Sequence, residues 1–259
     1  QGSGTYNVTY TGTDKTTSQE LSGSGLNNVT VNVTSAVTLG GSVTVPGTLT
    51  FTSGNLSLGS NSLTLGSSAT VSGAAATKCI VTDGAGGVVR SIANGASFQY
   101  PIAPTAGAFN PLTIAVTSGL TDTYTVRVLS GVNPHLPSTD ATAVQRTWEI
   151  TEGSAGGNNA NLTFQWLASE EGADFTAAGR AFTSTYRNVS GSLYAHAADN
   201  AITTGSDPYA ATNSAPGIYT LFSATRYIVG TLGGLPIQLS SFTGTLINNN
   251  HVRLDWTTA

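Results

Sequence analysis

The sequence predicts an all-β protein: a short N-terminal β-solenoid of β-helix-like coils, an antiparallel β-sandwich, and a C-terminal β-strand pair. Three observations carry this prediction. Apolar residues alternate with Thr, Ser and Asn along "YNVTYT", "VTVNVT", "TLTFT", "SLTLG" and "TYTVRVL", and a period of two is the strand signal. Helical periodicity is nearly missing. The closest stretch, "ASEEGADFTAAGRAF" at 168–182, is interrupted by Gly172 and Gly179. Finally, a repeat of about 20 residues runs through the first 76 positions, the signature of stacked coils.

The repeat defines the first region, 1–76. "NNVTVNVTSAVTLGGSVTV" (27–45) aligns with "GTLTFTSGNLSLGSNSLTL" (47–65). Val29 falls on Leu49, Val31 on Phe51, Val43 on Leu63 and Val45 on Leu65, while Val37 and Leu39 fall on Leu56 and Leu58 after a one-residue slip. A looser copy, "YNVTYTG", precedes them, so three coils are expected. Aliphatic residues point inward and stack from coil to coil, and Thr and Ser point outward. A plain run of β-hairpins is the competing reading. The solenoid is favoured because the repeat includes the Gly/Ser/Asn corners as well as the strands. A solenoid this short needs at least one end covered, since an open coil end is an unpaired sheet edge.

The second region, 77–232, loses the repeat and gains aromatics, among them Trp148 and Trp166. Strand-like runs fall at 78–82, 87–92, 97–102, 111–117, 122–130, 144–151, 160–167, 181–188, 192–197, 217–223 and 226–232. "DGAGG" (83–87) reads as a hairpin turn between two of them. Many short strands with large inward aromatics predict the antiparallel sandwich. The third region, 233–259, begins with a linker, because Gly-Gly followed by Pro in "LGGLP" interrupts strand pairing. It ends in two strands, where Leu239 and Phe242 in one and Val252, Leu254 and Trp256 in the other ask for burial. A lone pair of strands cannot satisfy them. They are expected to pack on the sandwich, on further sequence, or on another subunit by strand addition.

Composition excludes several functions. Charged residues are 8% of the chain, against roughly 25% in ordinary soluble domains. The net charge is −4 and no run of Lys or Arg occurs, so neither nucleic acid nor an anionic membrane surface has a basic patch to meet. No apolar run reaches the roughly 18 residues of a membrane span. The single cysteine, Cys79, forms no intrachain disulfide and reads as a small buried apolar residue. The lack of Met fits a mature chain whose start codon and leader are gone.

Candidate chemistry is sparse. His135, His196 and His251 lie in separate segments without ligand spacing, and no G-x-S-x-G elbow occurs. The repeats offer no facing pair of carboxylates for sugar hydrolysis. Glu170, Glu171 and Asp174 crowd five residues and are weak Ca²⁺ candidates, although their spacing does not match an EF-hand loop. Ladders of Thr on a flat solenoid face could bind ice or carbohydrate. Thr is also simply a good outward strand residue, and the Thr positions do not repeat strictly between coils. Trp148 and Trp166 sit within alternating strands and read as core rather than as sugar-stacking platforms.

The segments "SGSGLNNVTVN…TLTFTSGNLSLGSNSLTLG", "GGVVRSI", "FQYPIAP", "YTVRV", "RTWEITE" and "LTFQWLASEEGADF" together resemble secreted multidomain surface proteins of Bacteroidota. "LPIQLSSFTGTLINNNHVRLDWTTA" resembles the first two strands of the fibronectin-III-like module near the C-terminus of type IX secretion substrates. The resemblance implies export and a cell-surface location. The expectation is a non-enzymatic extracellular structural protein that self-assembles into a filament by β-strand addition, with an adhesin or carbohydrate-binding surface module as the alternative. Its expected partners are other copies of itself, neighbouring surface domains or a glycan. No cofactor is expected.

Overall fold

A computed structural model describes residues 4–134, 140–154, 156–175, 180, 183–188, 194–198, 203–213, 225–231, 239–248 and 251–258. The fold is all-β and contains a β-solenoid of about 5 turns. The coils are built from β1 (Tyr6–Gly12), β2 (Lys15–Thr16), β3 (Leu26–Thr38), β4 (Val43–Val45), β5 (Thr48–Ser57), β6 (Leu63–Leu65), β7 (Thr70–Ser72), β8 (Ile80–Val81), β9 (Val88–Ile92) and, after β10 (Ser97–Tyr100), β11 (Ile102–Ala103). One coil wall is the parallel ladder β1-β3-β5-β8-β11, joined by β2 and β7. The opposite wall is the parallel ladder β4-β6-β9.

Register follows the sequence repeat. Val29 pairs with Leu49, Val31 with Phe51 and Val37 with Leu56 on one wall, and Val43 with Leu63 and Val45 with Leu65 on the other. The looser copy also aligns, with Val8 beside Val29 and Tyr10 beside Val31. Parallel pairing rules out consecutive hairpins here, because a tight turn joins only antiparallel neighbours. The inward residues are buried and make one continuous core that runs from Tyr10 in the first coil to Val229.

Three expectations need correction. The coils number about 5, not three, and they run past residue 76: β8 pairs with β5 and β9 with β6, both in parallel. The later coils escaped the repeat because the offset grows from 20 (Val29–Leu49) to 24 (Leu56–Ile80) and 25 (Leu63–Val88). "DGAGG" is a coil corner, not a hairpin turn, since β8 and β9 lie in different sheets. Its glycines serve close stacking. A Cβ on Gly86 would sit 1.8 Å from the Asn61 carbonyl oxygen of the preceding corner, and the Gly86 amide donates to Gly59 at 3.0 Å. The Thr positions also stack more regularly than the sequence indicates: Thr9, Thr30, Thr50 and Ser72 form one file across four strands. Local register shifts within β1–β3 and β3–β5 absorb the slips.

The remaining strands are β12 (Leu112–Ser118), β13 (Asp122–Ser130), β14 (Arg146–Glu152), β15 (Asn159–Trp166), β16 (Thr183–Asn188), β17 (Tyr194–Ala198), β18 (Thr203–Gly205), β19 (Tyr209–Asn213), β20 (Thr225–Thr231), β21 (Leu239–Asn248) and β22 (His251–Thr258). β13 pairs antiparallel with β9. The parallel wall β4-β6-β9 therefore continues without a break into β13-β14-β20-β16-β17, giving one 8-stranded sheet. β10, β12, β15, β19 and β18 form a 5-stranded sheet. Rings from the two sheets meet: Trp148 lies 5.1 Å from Phe164 in an edge-on contact, and Phe164 lies 5.9 Å from Tyr227. β18 and β19 have no counterpart among the sequence-predicted strands, and the predicted strand 217–223 and linker 232–236 lie outside the described residues.

Candidate assembly interface

Sheet edges are where a β-protein can accept another chain. The described edges differ in length and chemistry. β4 and β18 have 3 residues each, β11 has 2, β10 has 4 and β17 has 5. β11 is followed at once by Pro104. Short strands and proline are the usual devices that blunt an edge. β1 lacks them. It has 7 residues, no charge and no proline, and among the described residues it pairs only with β3. Asn7, Thr9 and Thr11 are exposed along it.

The interior of the first coil is nevertheless closed. The 3-10 turn Gln19–Leu21 places Leu21 in the core. The Tyr10 hydroxyl donates to Glu20 Oε1 at 2.6 Å, the Tyr6 hydroxyl donates to the Glu20 carbonyl at 2.9 Å, and the Gly23 amide donates to the Tyr6 hydroxyl at 3.1 Å. Burial raises the Tyr10 phenol, whereas the Tyr10 and Ser18 donors outweigh burial at Glu20 and hold its carboxyl below the ordinary value. Among the described residues, what remains open at this end is the backbone edge of β1.

The assembly residues expected from the sequence fall in the hairpin β21–β22. Phe242 stands opposite Trp256, Gly244 opposite Leu254, Leu246 opposite Val252, and Leu239 opposite Thr258. With a period of two, positions 242, 244 and 246 share a face with 252, 254 and 256. The other face carries Thr243, Thr245 and Arg253; these three and Gly244 are exposed. Among the described residues, β21 and β22 pair only with each other. β21 has 10 residues and no charge.

The weak Ca²⁺ candidates do not converge. Glu170 is buried, takes the Arg146 guanidinium at 2.8 Å, and accepts from the Asn110 amide and from the Leu167 N–H at 2.9 Å. Glu171 takes Arg180 at 2.6 Å and the Trp166 indole N–H at 2.9 Å. Asp174 is exposed, and its backbone amide donates to the Ala141 carbonyl. Among the described residues no group of three His, Cys, Asp or Glu side chains is placed to hold a metal ion. His135 lies outside the described residues, and for His196 and His251 only the strand position is described. Cys79 is buried, and burial pushes its thiol up to about 12. Trp148 and Trp166 are fully buried. No described helix is long and apolar enough to cross a membrane.

Sequence reasoning missed the charge distribution between sheet faces. On the 8-stranded sheet, Glu149 bridges Arg127 at 2.7 Å and Arg226 at 2.8 Å. The 5-stranded sheet instead aligns Gln99, Thr113, Thr163 and Thr212 in one rank, with Gln99 donating to Gln165 and the Thr163 and Thr212 hydroxyls 2.9 Å apart. Pairing register reveals such a rank, and one chain's residue order does not.

No protein-family model matches the chain, and a search of curated proteins finds no match to it.

Proposed function

We propose that this is a non-enzymatic extracellular structural protein of the bacterial cell surface that assembles with copies of itself by β-strand addition. The observation that carries the reading is the presence of two long, uncharged strand edges, β1 and β21; among the described residues the other edges are short or, in β22, charged. Main-chain hydrogen bonds along such an edge give affinity without a side-chain pocket. An 8-stranded sheet that continues from the coils into the antiparallel strands supports it, because the main core cluster then extends through both parts. In this reading the 5-stranded sheet and the antiparallel half of the 8-stranded sheet are the layers of a β-sandwich, supported by the Trp148, Phe164 and Tyr227 ring contacts. Membership of the Bacteroidota surface proteins and export by the type IX route rest on the quoted sequence motifs. Light scattering and electron microscopy of the purified chain test the reading. Concentration-dependent, regularly repeating assemblies are expected, and a monodisperse monomer at high concentration overturns it.

One observation favours a second reading, an adhesin for neutral glycans. The rank of Gln99, Thr113, Thr163 and Thr212 offers amides and hydroxyls on an uncharged face. A glycan array with Gln99→Ala and Gln165→Ala decides it: specific binding lost in both variants supports the adhesin.

A further inference from the structure

We infer that β1 of one subunit accepts β21 of a second copy, so that the hairpin continues the β1-β3-β5 wall of its neighbour. The inference rests on the self-assembly reading and names its two partner strands. Length and charge single them out: β1 has 7 residues and β21 has 10, whereas the other edge strand of comparable length among the described residues, β22, carries His251, Arg253 and Asp255. Edge charges hinder a neighbour's approach, and β1 and β21 have none.

Alternation makes the two strands compatible on both faces. In β1, Val8 and Tyr10 belong to the core side, and Asn7, Thr9 and Thr11 are exposed. In β21 the alternation is one of residue type: Phe242, Gly244 and Leu246 alternate with Thr243 and Thr245, and Thr243, Gly244 and Thr245 are exposed. Pairing in this register sets the apolar positions of β21 beside Val8 and Tyr10, and extends the Thr9-Thr30-Thr50-Ser72 file with Thr243 or Thr245. A one-residue slip places apolar against polar on both faces, so alternation fixes which face each side chain takes and leaves slips of two residues open. The contact is heterologous: a subunit that donates β21 leaves its own β1 free for the next, and the series grows as a filament unless it closes into a ring.

Cross-linking of full-length chains tests this. One chain carries Thr9→Cys and the other Thr243→Cys, both at exposed positions, and a short thiol-reactive cross-linker joins them after mixing. The buried Cys79 serves as the unreactive control in the parent chain. A product of twice the chain mass in the mixture, and in neither chain alone, is the expected result. Thr11→Cys with Thr245→Cys repeats the test if either first variant loses its β-type circular dichroism. Assemblies that form without cross-linking in either pair overturn the strand assignment and leave self-assembly standing. A cross-link formed only within a chain carrying both cysteines overturns it too, because β21 then covers its own subunit's β1. Absence of any assembly overturns both the strand assignment and the self-assembly reading.

Discussion

The parallel coils and the antiparallel strands share one 8-stranded sheet, yet they are held by different chemistry. The coil core is mainly aliphatic, with Leu49, Leu56, Leu58 and Leu63 among its fully buried side chains and Tyr10 and Phe51 as buried aromatics. The antiparallel part buries Trp148, Trp166, Tyr124 and Tyr227. Polar groups on the coils hydrogen-bond along the stacking direction to equivalent groups of the next coil, as Thr48 does to Thr70 at 3.0 Å and Ser72 to Thr50 at 3.2 Å. In the antiparallel part, buried charges lock distant segments together. Arg146 reaches Glu170 across 24 positions, its Nε donates to Asn110 Oδ1 at 3.0 Å, and Trp148 Nε1 donates to the Asn110 carbonyl at 3.0 Å. The coils are therefore stabilised by many small, repeated contributions, and the antiparallel part by a few indispensable ones.

Removing one of those few gives the largest expected effect. Arg146→Ala leaves the Glu170 carboxylate, with only 4% of its side chain exposed, without its cation. Breaking a buried pair in this way costs about 3–5 kcal/mol, read as a shift of the urea midpoint at an unchanged slope. Arg146→Met combined with Glu170→Gln is expected to recover most of the loss, because no buried charge is then left over. If Arg146→Ala shifts the midpoint no more than a surface substitution does, the contrast between the two regions fails.

Next in size is a test of the coil corner. Gly86→Ala forces the corner away from Asn61, and overpacking of this kind costs about 1–3 kcal/mol. Gly41→Ala, which meets nothing within 4 Å, is the matched control and should be near neutral. Equal thermal stability of the two variants would show that the corner stacking is slack.

How much of this could be read from residue order depends on the range of the interaction. The 20-residue repeat located Val29, Val31, Val43 and Val45 and their partners correctly, because stacking equivalent residues is a short-range rule applied coil by coil. The later coils were hidden by extra residues on either side of β7, which stretch the offset to 22 at Thr48–Thr70 and 24 at Leu56–Ile80. Periodicity also marked Trp148 and Trp166 as core. It gave no sign that Glu170 and Glu171 would turn to different arginines, Arg146 and Arg180. Such pairing depends on which strands become neighbours, and alternation leaves that open. The unblunted edge of β1 was legible only as a general need to cover a coil end.

A pH comparison within β14 sharpens the picture at smaller energies. At Glu149 burial raises the carboxyl, but hydrogen bonds from Arg127 and Arg226 outweigh it and leave the value below the ordinary range. Its stabilising contribution is present above the unfolded-state pKa and is lost as pH falls through the lower folded value. At Glu152, three residues along the strand, burial dominates over the donors Gly156 and Asn158 and leaves the carboxyl raised. Its contribution is present below the unfolded-state pKa and is lost as pH rises through the higher folded value. Opposite responses are expected from the two amides. Glu149→Gln should destabilise at pH 7 and matter less at pH 3. Glu152→Gln should be close to neutral at pH 3 and stabilise relative to the parent at pH 7. Denaturation curves at both pH values check this, and the same sign for both variants at pH 7 would contradict it.

The smallest expected effect belongs to the coil surface. Thr50→Val keeps the shape and β-propensity of the side chain and removes the hydroxyl that accepts from Ser72. Ser72 is exposed and can turn to water instead, so the change should stay within about 0.5 kcal/mol. The same argument holds at each step of the file, which makes the file's contribution a sum of weak and replaceable bonds. A loss well above that size in the urea midpoint would mean that the hydroxyls act as one cooperative ladder. The coils would then resemble the antiparallel part, with a polar network that a single substitution can break.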